Sequence, residues 1–179
     1  MNRSLLVTIH LYLSSFFAAA VLLVAVSGGL YLIGVKGSVQ QEAVGTFPGG
    51  AELLAEPDVD QVLAVLATAG IDDFSFEYVK KGGNTVFTRP TSRLHYVLAV
   101  DGDAITVTRN TPDLQKRMIE LHKGHGPTLF KTFQKVFAAG MIFMILSGLW
   151  LGLQSPRLRR TTLITAGSGL VVFLGLVLL

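Results

Sequence analysis

Cysteine is absent from this chain of 179 residues, which removes disulfides, thiol chemistry and cysteine-ligated zinc or iron–sulfur sites from consideration. Charge is scarce as well. Only 15% of residues are charged against 50% hydrophobic, a balance too apolar for an ordinary soluble domain of this length. No glycine-rich dinucleotide fingerprint and no phosphate-binding loop occurs, so neither bound NADH nor nucleotide hydrolysis is expected. Gly-x-Ser-x-Gly and His-Glu-x-x-His are also missing, and with them the serine-hydrolase and zinc-protease signatures. The formal net charge is +3, yet no basic patch with interleaved aromatics accompanies it, which argues against nucleic acid as a partner.

The apolar residues gather at the two ends of the chain. Leu5 to Ile33 is an uncharged run of 29 residues, with His10 taken as neutral; Val136 to Leu153 is one of 18, and Thr161 to Leu179 one of 19. A helix needs roughly 20 apolar residues to cross a hydrocarbon core. The first run exceeds the roughly 7–15 apolar residues of a secretory signal peptide, so a retained anchor is expected. All three runs carry small residues, among them Gly28, Gly29, Gly140, Gly148, Gly152, Gly167 and Gly169, which let membrane helices approach closely. The expectation is a membrane bundle of three transmembrane helices, or helices associated with those of a partner, in contact with lipid.

Arg157, Arg159 and Arg160 crowd the short connection before the third run. Such a loop is expected on the cytoplasmic side, with the amino terminus beside it and the long middle segment on the other side. The expected plan is a first transmembrane helix with its short cytoplasmic start over residues 1–35 and an extracytoplasmic α+β domain over 36–110. An elbow helix at the outer interface follows over 111–127, then a second transmembrane helix over 128–154, a basic loop over 155–160 and a third helix over 161–179.

Within the middle segment the hydrophobic period changes. Val59, Val62, Leu63, Leu66 and Ala69 recur at helical spacing after Pro57 and Asp58, and Gly70 marks the stop. Phe74, Phe76 and Tyr78 then alternate with polar residues, Gly82-Gly83-Asn84 supplies a turn before residues 85–89, and Leu94, Tyr96, Leu98 and Val100 alternate again up to the turn at Asp101-Gly102-Asp103. This predicts one helix and an antiparallel meander of three or four strands. Thr111-Pro112 reads as an N-cap and first-turn proline opening the elbow helix, which Gly124, Gly126 and Pro127 interrupt.

Several of these features together resemble a known family. Leu121-His122-Lys123-Gly124-His125-Gly126, the later Ile145-Leu146-Ser147-Gly148-Leu149-Trp150, and an opening span with His10 near its start and Ser27-Gly28-Gly29 near its end resemble the bacterial PepSY-associated transmembrane family. The region Val59 to Arg109 has the size and order of a PepSY domain. The resemblance implies a multi-pass protein of the bacterial inner membrane with a periplasmic PepSY-like domain, associated with iron or siderophore uptake. Larger relatives act as transmembrane reductases that carry b-type haem on membrane histidines and reduce ferric substrates outside. This chain is shorter than those relatives, with three spans and four histidines.

Each histidine admits a functional and a bland reading. His10, five residues into a lipid-depth helix, is either a haem ligand or a neutral imidazole hydrogen-bonded to a neighbouring helix or to headgroups. His122 and His125, three apart, are expected to project to one side of a helix. They are candidates for haem iron or another metal held together with a partner residue, or else polar residues that shape the bend. His10 and His122 stand at opposite faces of the membrane, roughly 25 Å apart, and cannot share one haem. His95 alternates with the apolar residues of its strand and is expected on the surface. Tyr12 and Trp150 suit an interfacial belt.

Two functions follow as expectations. One is a haem-dependent reductase component that relays electrons outward from a donor on another polypeptide. The other is a non-enzymatic accessory subunit whose domain binds a protein or ligand outside the membrane.

Overall fold

The structure, a computed structural model, describes residues 2–179. Its elements are α1 (Arg3–Leu32), β1 (Val39–Phe47), α2 (Gly50–Ala55), α3 (Val59–Thr68), β2 (Tyr78–Gly82), β3 (Thr85–Arg89), β4 (His95–Asp101), β5 (Ala104–Pro112), α4 (Leu114–His122), α5 (Thr128–Gln154) and α6 (Arg159–Val177). Three of the helices, α1, α5 and α6, are long and apolar enough to cross a membrane by length and composition. At about 1.5 Å per residue, the 30 residues of α1 extend about 45 Å. The fold is therefore α+β, with five antiparallel strands and three apolar helices.

The chain divides into two compact units, Met1–Ala20 with Lys135–Leu179, and Val21–Gln134. In the first, α1 and α5 pack through aromatic and small residues. The rings of Phe17 and Phe137 lie 5.5 Å apart, and a methyl group on Gly140 would fall 2.5 Å from Phe17. Gly140 is thus the small residue that lets the Phe17 ring lie against α5.

The second unit is built on a sheet in the order β1-β5-β4-β3-β2. The predicted meander is β2 to β5, and β1 joins it as a fifth strand by pairing with β5 from Val39↔Pro112 to Phe47↔Ile105, with a bulge between Ala43 and Gly45. Leu53 of α2 and Val62 and Leu66 of α3 close one face against Val86, Tyr96, Leu98, Val100, Ile105 and Val107. Asp58 caps α3 by accepting from Gln61 N at 2.7 Å, so the helix starts where the Pro57-Asp58 signal places it.

Two local expectations fail. Phe74 and Phe76 are not strand residues, since β2 begins only at Tyr78, opposite Arg89. The next partner residue is Pro90, which has no N–H to donate, so the ladder ends there; the two rings still pack against the core. Nor does Thr111 open the elbow helix. β1 offers a pairing partner as far as Pro112, which draws Thr111-Pro112 into β5, and Asp113 caps α4 by accepting from Lys116 N at 2.8 Å.

Asp113 does more than cap. Its other oxygen accepts from Ser38 N at 2.7 Å and Ser38 Oγ at 2.9 Å, and the Lys116 N–H first, with these bonds after it, holds its carboxyl below the usual carboxylate value. The neighbouring Gly37 has φ +68°, and a methyl group there would lie 2.5 Å from Lys116 N. Only glycine lets the chain leaving α1 pass this close to the start of α4. Beyond α4, Glu77 accepts from both N and Oγ of Thr128 at 2.7 Å and so caps α5 from a distant part of the sequence. Lys131 of that helix also donates to the Tyr78 hydroxyl.

Candidate functional site

α4 lies over one end of the second face of the sheet, where His95 and Asn110 are buried while Ala99 and Thr106 stay exposed, and this is where the histidines separate. His95 is buried, with 6% of its surface exposed, contrary to the surface position expected from strand alternation. The alternation holds, but the face it points to is covered. Arg89, His95 and Asn110 lie on that face beneath α4, all buried. Burial pushes the His95 imidazole below its ordinary pKa, opposed by the hydrogen bond its Nδ1 donates to Arg93 O at 2.9 Å.

The link between sheet and helix runs through Glu120. Arg89 donates to Thr91 Oγ1 at 2.8 Å, and Thr91 donates to Glu120 Oε2 at 2.7 Å. His125 Nδ1 donates to the same oxygen at 2.7 Å, while Lys116 Nζ lies 3.6 Å from Oε1. Burial alone would raise the Glu120 pKa. The Thr91 and His125 hydrogen bonds, with the charges of His125 and Lys116, outweigh it and hold the carboxyl below its ordinary value. The sequence reading did not single out Glu120 as a link, because its partners come from a loop after β3 and from beyond the helix end.

His122 and His125 do not share a side of one helix. α4 ends at His122, and Gly124 takes φ +76°. His125 N then bonds Glu120 O at 2.9 Å and Gly124 N bonds Leu121 O at 3.0 Å, the paired bonds of a Schellman ending. That turn directs His125 back onto Glu120, whereas His122 reaches α1, where its Nδ1 is 3.2 Å from Ser27 Oγ. Gln115 of α4 fixes the same approach by donating to Ser27 O at 3.2 Å and Val35 O at 3.0 Å.

In the other unit His10 is held in the same manner. Its Nδ1 lies 2.8 Å from Ser147 Oγ of α5. Both serines are followed by glycine, and the imidazole edge lies over it: a methyl group on Gly148 would stand 3.3 Å from His10 Cε1, and one on Gly28 3.6 Å from His122 Cε1. The two Ser-Gly pairs belong to the motifs on which the family resemblance rests. Their repetition was the available signal, but which histidine each would meet depended on the fold.

A cavity of about 310 Å³ opens beside His122, lined by Gly28, Tyr31, Leu32, Ile119, His122 and Lys123. Among the described residues no Nε2 partner is found for His10 or His122, and no group of three or more His, Asp or Glu is placed to hold a bare metal ion. A haem, were one bound, could be held by either imidazole through Nε2, the nitrogen not engaged with serine. The arrangement defines a class: an α+β domain carried with three helices able to span a membrane, with an imidazole anchored on a helix serine in each of its two units. Comparison of the chain with protein-family models, curated proteins and solved structures finds no match.

Proposed function

We propose that the chain is a multi-pass protein of the bacterial inner membrane, of the PepSY-associated transmembrane kind, that works in iron or siderophore uptake as a component of transmembrane electron transfer. His10 and His122 are its candidate haem ligands. The observation that carries this reading is that each imidazole is anchored through Nδ1 while Nε2 has no protein partner, and that an apolar cavity adjoins His122. Bound b-type haem would supply one-electron exchange between ferric and ferrous iron. The chain's own part is to hold the imidazoles through serine and to carry Lys123 at the cavity wall, where a cation suits a carboxylate-bearing ligand.

His125 has its Nδ1 held in the same manner, by Glu120, but it does not line the cavity beside His122 and so stands behind the other two as a candidate. The basic loop at Arg157, Arg159 and Arg160 supports a cytoplasmic position for that connection and a periplasmic one for the sheet domain. That each candidate ligand stands alone favours a membrane partner that completes the site. The same fact gives the accessory reading its footing, in which the domain binds a partner outside and the helices anchor it.

The test is an absorption spectrum, oxidised and dithionite-reduced, of protein purified in mild detergent from haem-replete cells, with His10→Ala and His122→Ala variants alongside. A b-type spectrum diminished in a variant identifies a ligand. A colourless, well-folded protein overturns haem binding by this chain alone.

A further inference from the structure

Ser27 and Ser147 do more than touch the histidines. A serine hydroxyl has one proton to give. In each case a carbonyl one turn back in the same helix stands ready to take it: Val24 O is 3.3 Å from Ser27 Oγ, and Met144 O 3.1 Å from Ser147 Oγ. Both oxygens are thereby left to accept. Both serines are also buried, so no water competes for them. With the hydroxyl proton on that carbonyl the imidazole nitrogen is the donor, and a neutral ring that donates from Nδ1 has no proton on Nε2.

We infer that Ser27 and Ser147 are positioning residues that hold His122 and His10 in the Nδ1–H tautomer, so that both rings present a bare Nε2 electron pair to a ligand that accepts electrons. A metal centre is such a ligand. A quinone carbonyl is not, because it needs an N–H at that place. The neighbouring glycines let the ring edge come this close, with less room at Gly148 than at Gly28. The tautomer itself is independent of the haem reading; its use in binding rests on that reading.

The experiment is nitrogen NMR of the full-length protein with 15N-labelled histidine, prepared without haem in lipid bilayers, at a pH above the ordinary imidazole range. His10→Ala and His122→Ala assign the two resonances. Both rings are expected to show protonated Nδ1 and bare Nε2. Ser147→Ala shifts His10, and Ser27→Ala shifts His122, toward the Nε2–H form, while Ser→Thr at either place restores the original tautomer. Haemin titration is a second readout, with Ser→Ala weakening binding about 10–100-fold, the usual effect of removing the group that orients a histidine ligand.

An Nε2–H ring in the unaltered protein overturns the inference, as does a tautomer or haemin affinity unmoved by Ser→Ala. A protein that keeps bare Nε2 but takes up no haemin leaves the tautomer standing and sinks the haem function instead.

Discussion

The two faces of the sheet meet their helices through different chemistry. Against α2 and α3 the contact is apolar side chains, many with no surface left exposed. Against α4 it is a chain of hydrogen bonds from Arg89 through Thr91 to Glu120 and His125. The apolar face is stabilised by area and is forgiving of detail. The polar face depends on every member being satisfied, since a buried group that loses its partner keeps its desolvation cost. The first face builds the domain. The second fixes α4, which carries His122 at its end.

Truncation of the apolar face has the largest expected effect. Leu98→Ala, at the centre of β4 with no exposed surface, should cost about 2–5 kcal/mol and raise amide hydrogen exchange throughout β3, β4 and β5. Glu120→Ala should cost less, about 1–3 kcal/mol, with faster exchange concentrated in α4 and the His122 tautomer signal broadened. If Glu120→Ala instead loosened the whole sheet as Leu98→Ala does, the two faces would not be separable and the contrast would fail.

Acid separates the faces without mutation. The folded state keeps His95 neutral, so the unfolded chain binds more protons as pH falls below the ordinary imidazole value of 6.5, and stability declines from there. Glu120 has a folded pKa below its ordinary 4.5; its contribution is present above that value and is lost as pH falls through the lowered one. Hydrogen exchange in α4 should therefore quicken in two stages on acidification, while exchange at Val86 and Val107 follows later. His95→Gln should remove the upper stage. The smallest expected effect is that of Thr91→Val, which keeps the shape and removes one link between Arg89 and Glu120, at about 1 kcal/mol. A Thr91→Val protein with unchanged exchange in α4 would show that Lys116 and His125 hold Glu120 by themselves.

The difference between the faces also explains what could be read in advance. Val62 and Leu66 repeat at helical spacing and Tyr96, Leu98 and Val100 at strand spacing, so the apolar face is legible as period alone. β1 shows no such pattern: Gln40, Gln41 and Glu42 lie at the sheet edge with their side chains exposed, and only β5 makes a strand of them. His95 is misplaced on the surface by that reading, because alternation tells which face a residue takes, not what covers that face. The lone histidines His10 and His122 stood out by their setting, and the serines that hold them did not, since Ser27 and Ser147 look like any small residue of a membrane helix until the neighbouring element is in place.

The cap at the start of α5 bears on how the protein is made. Thr128 has both its N–H and its hydroxyl satisfied by a carboxylate 51 residues earlier in the chain, and the Glu77 pKa is lowered chiefly by these bonds, the hydroxyl's first. Glu77 lies in the segment that leads from the packed Phe74 and Phe76 into β2. During synthesis that segment emerges before α5, and the cap forms only once both are in place. The first turn of α5 is thus completed by the domain that precedes it in the chain, through a single acidic side chain.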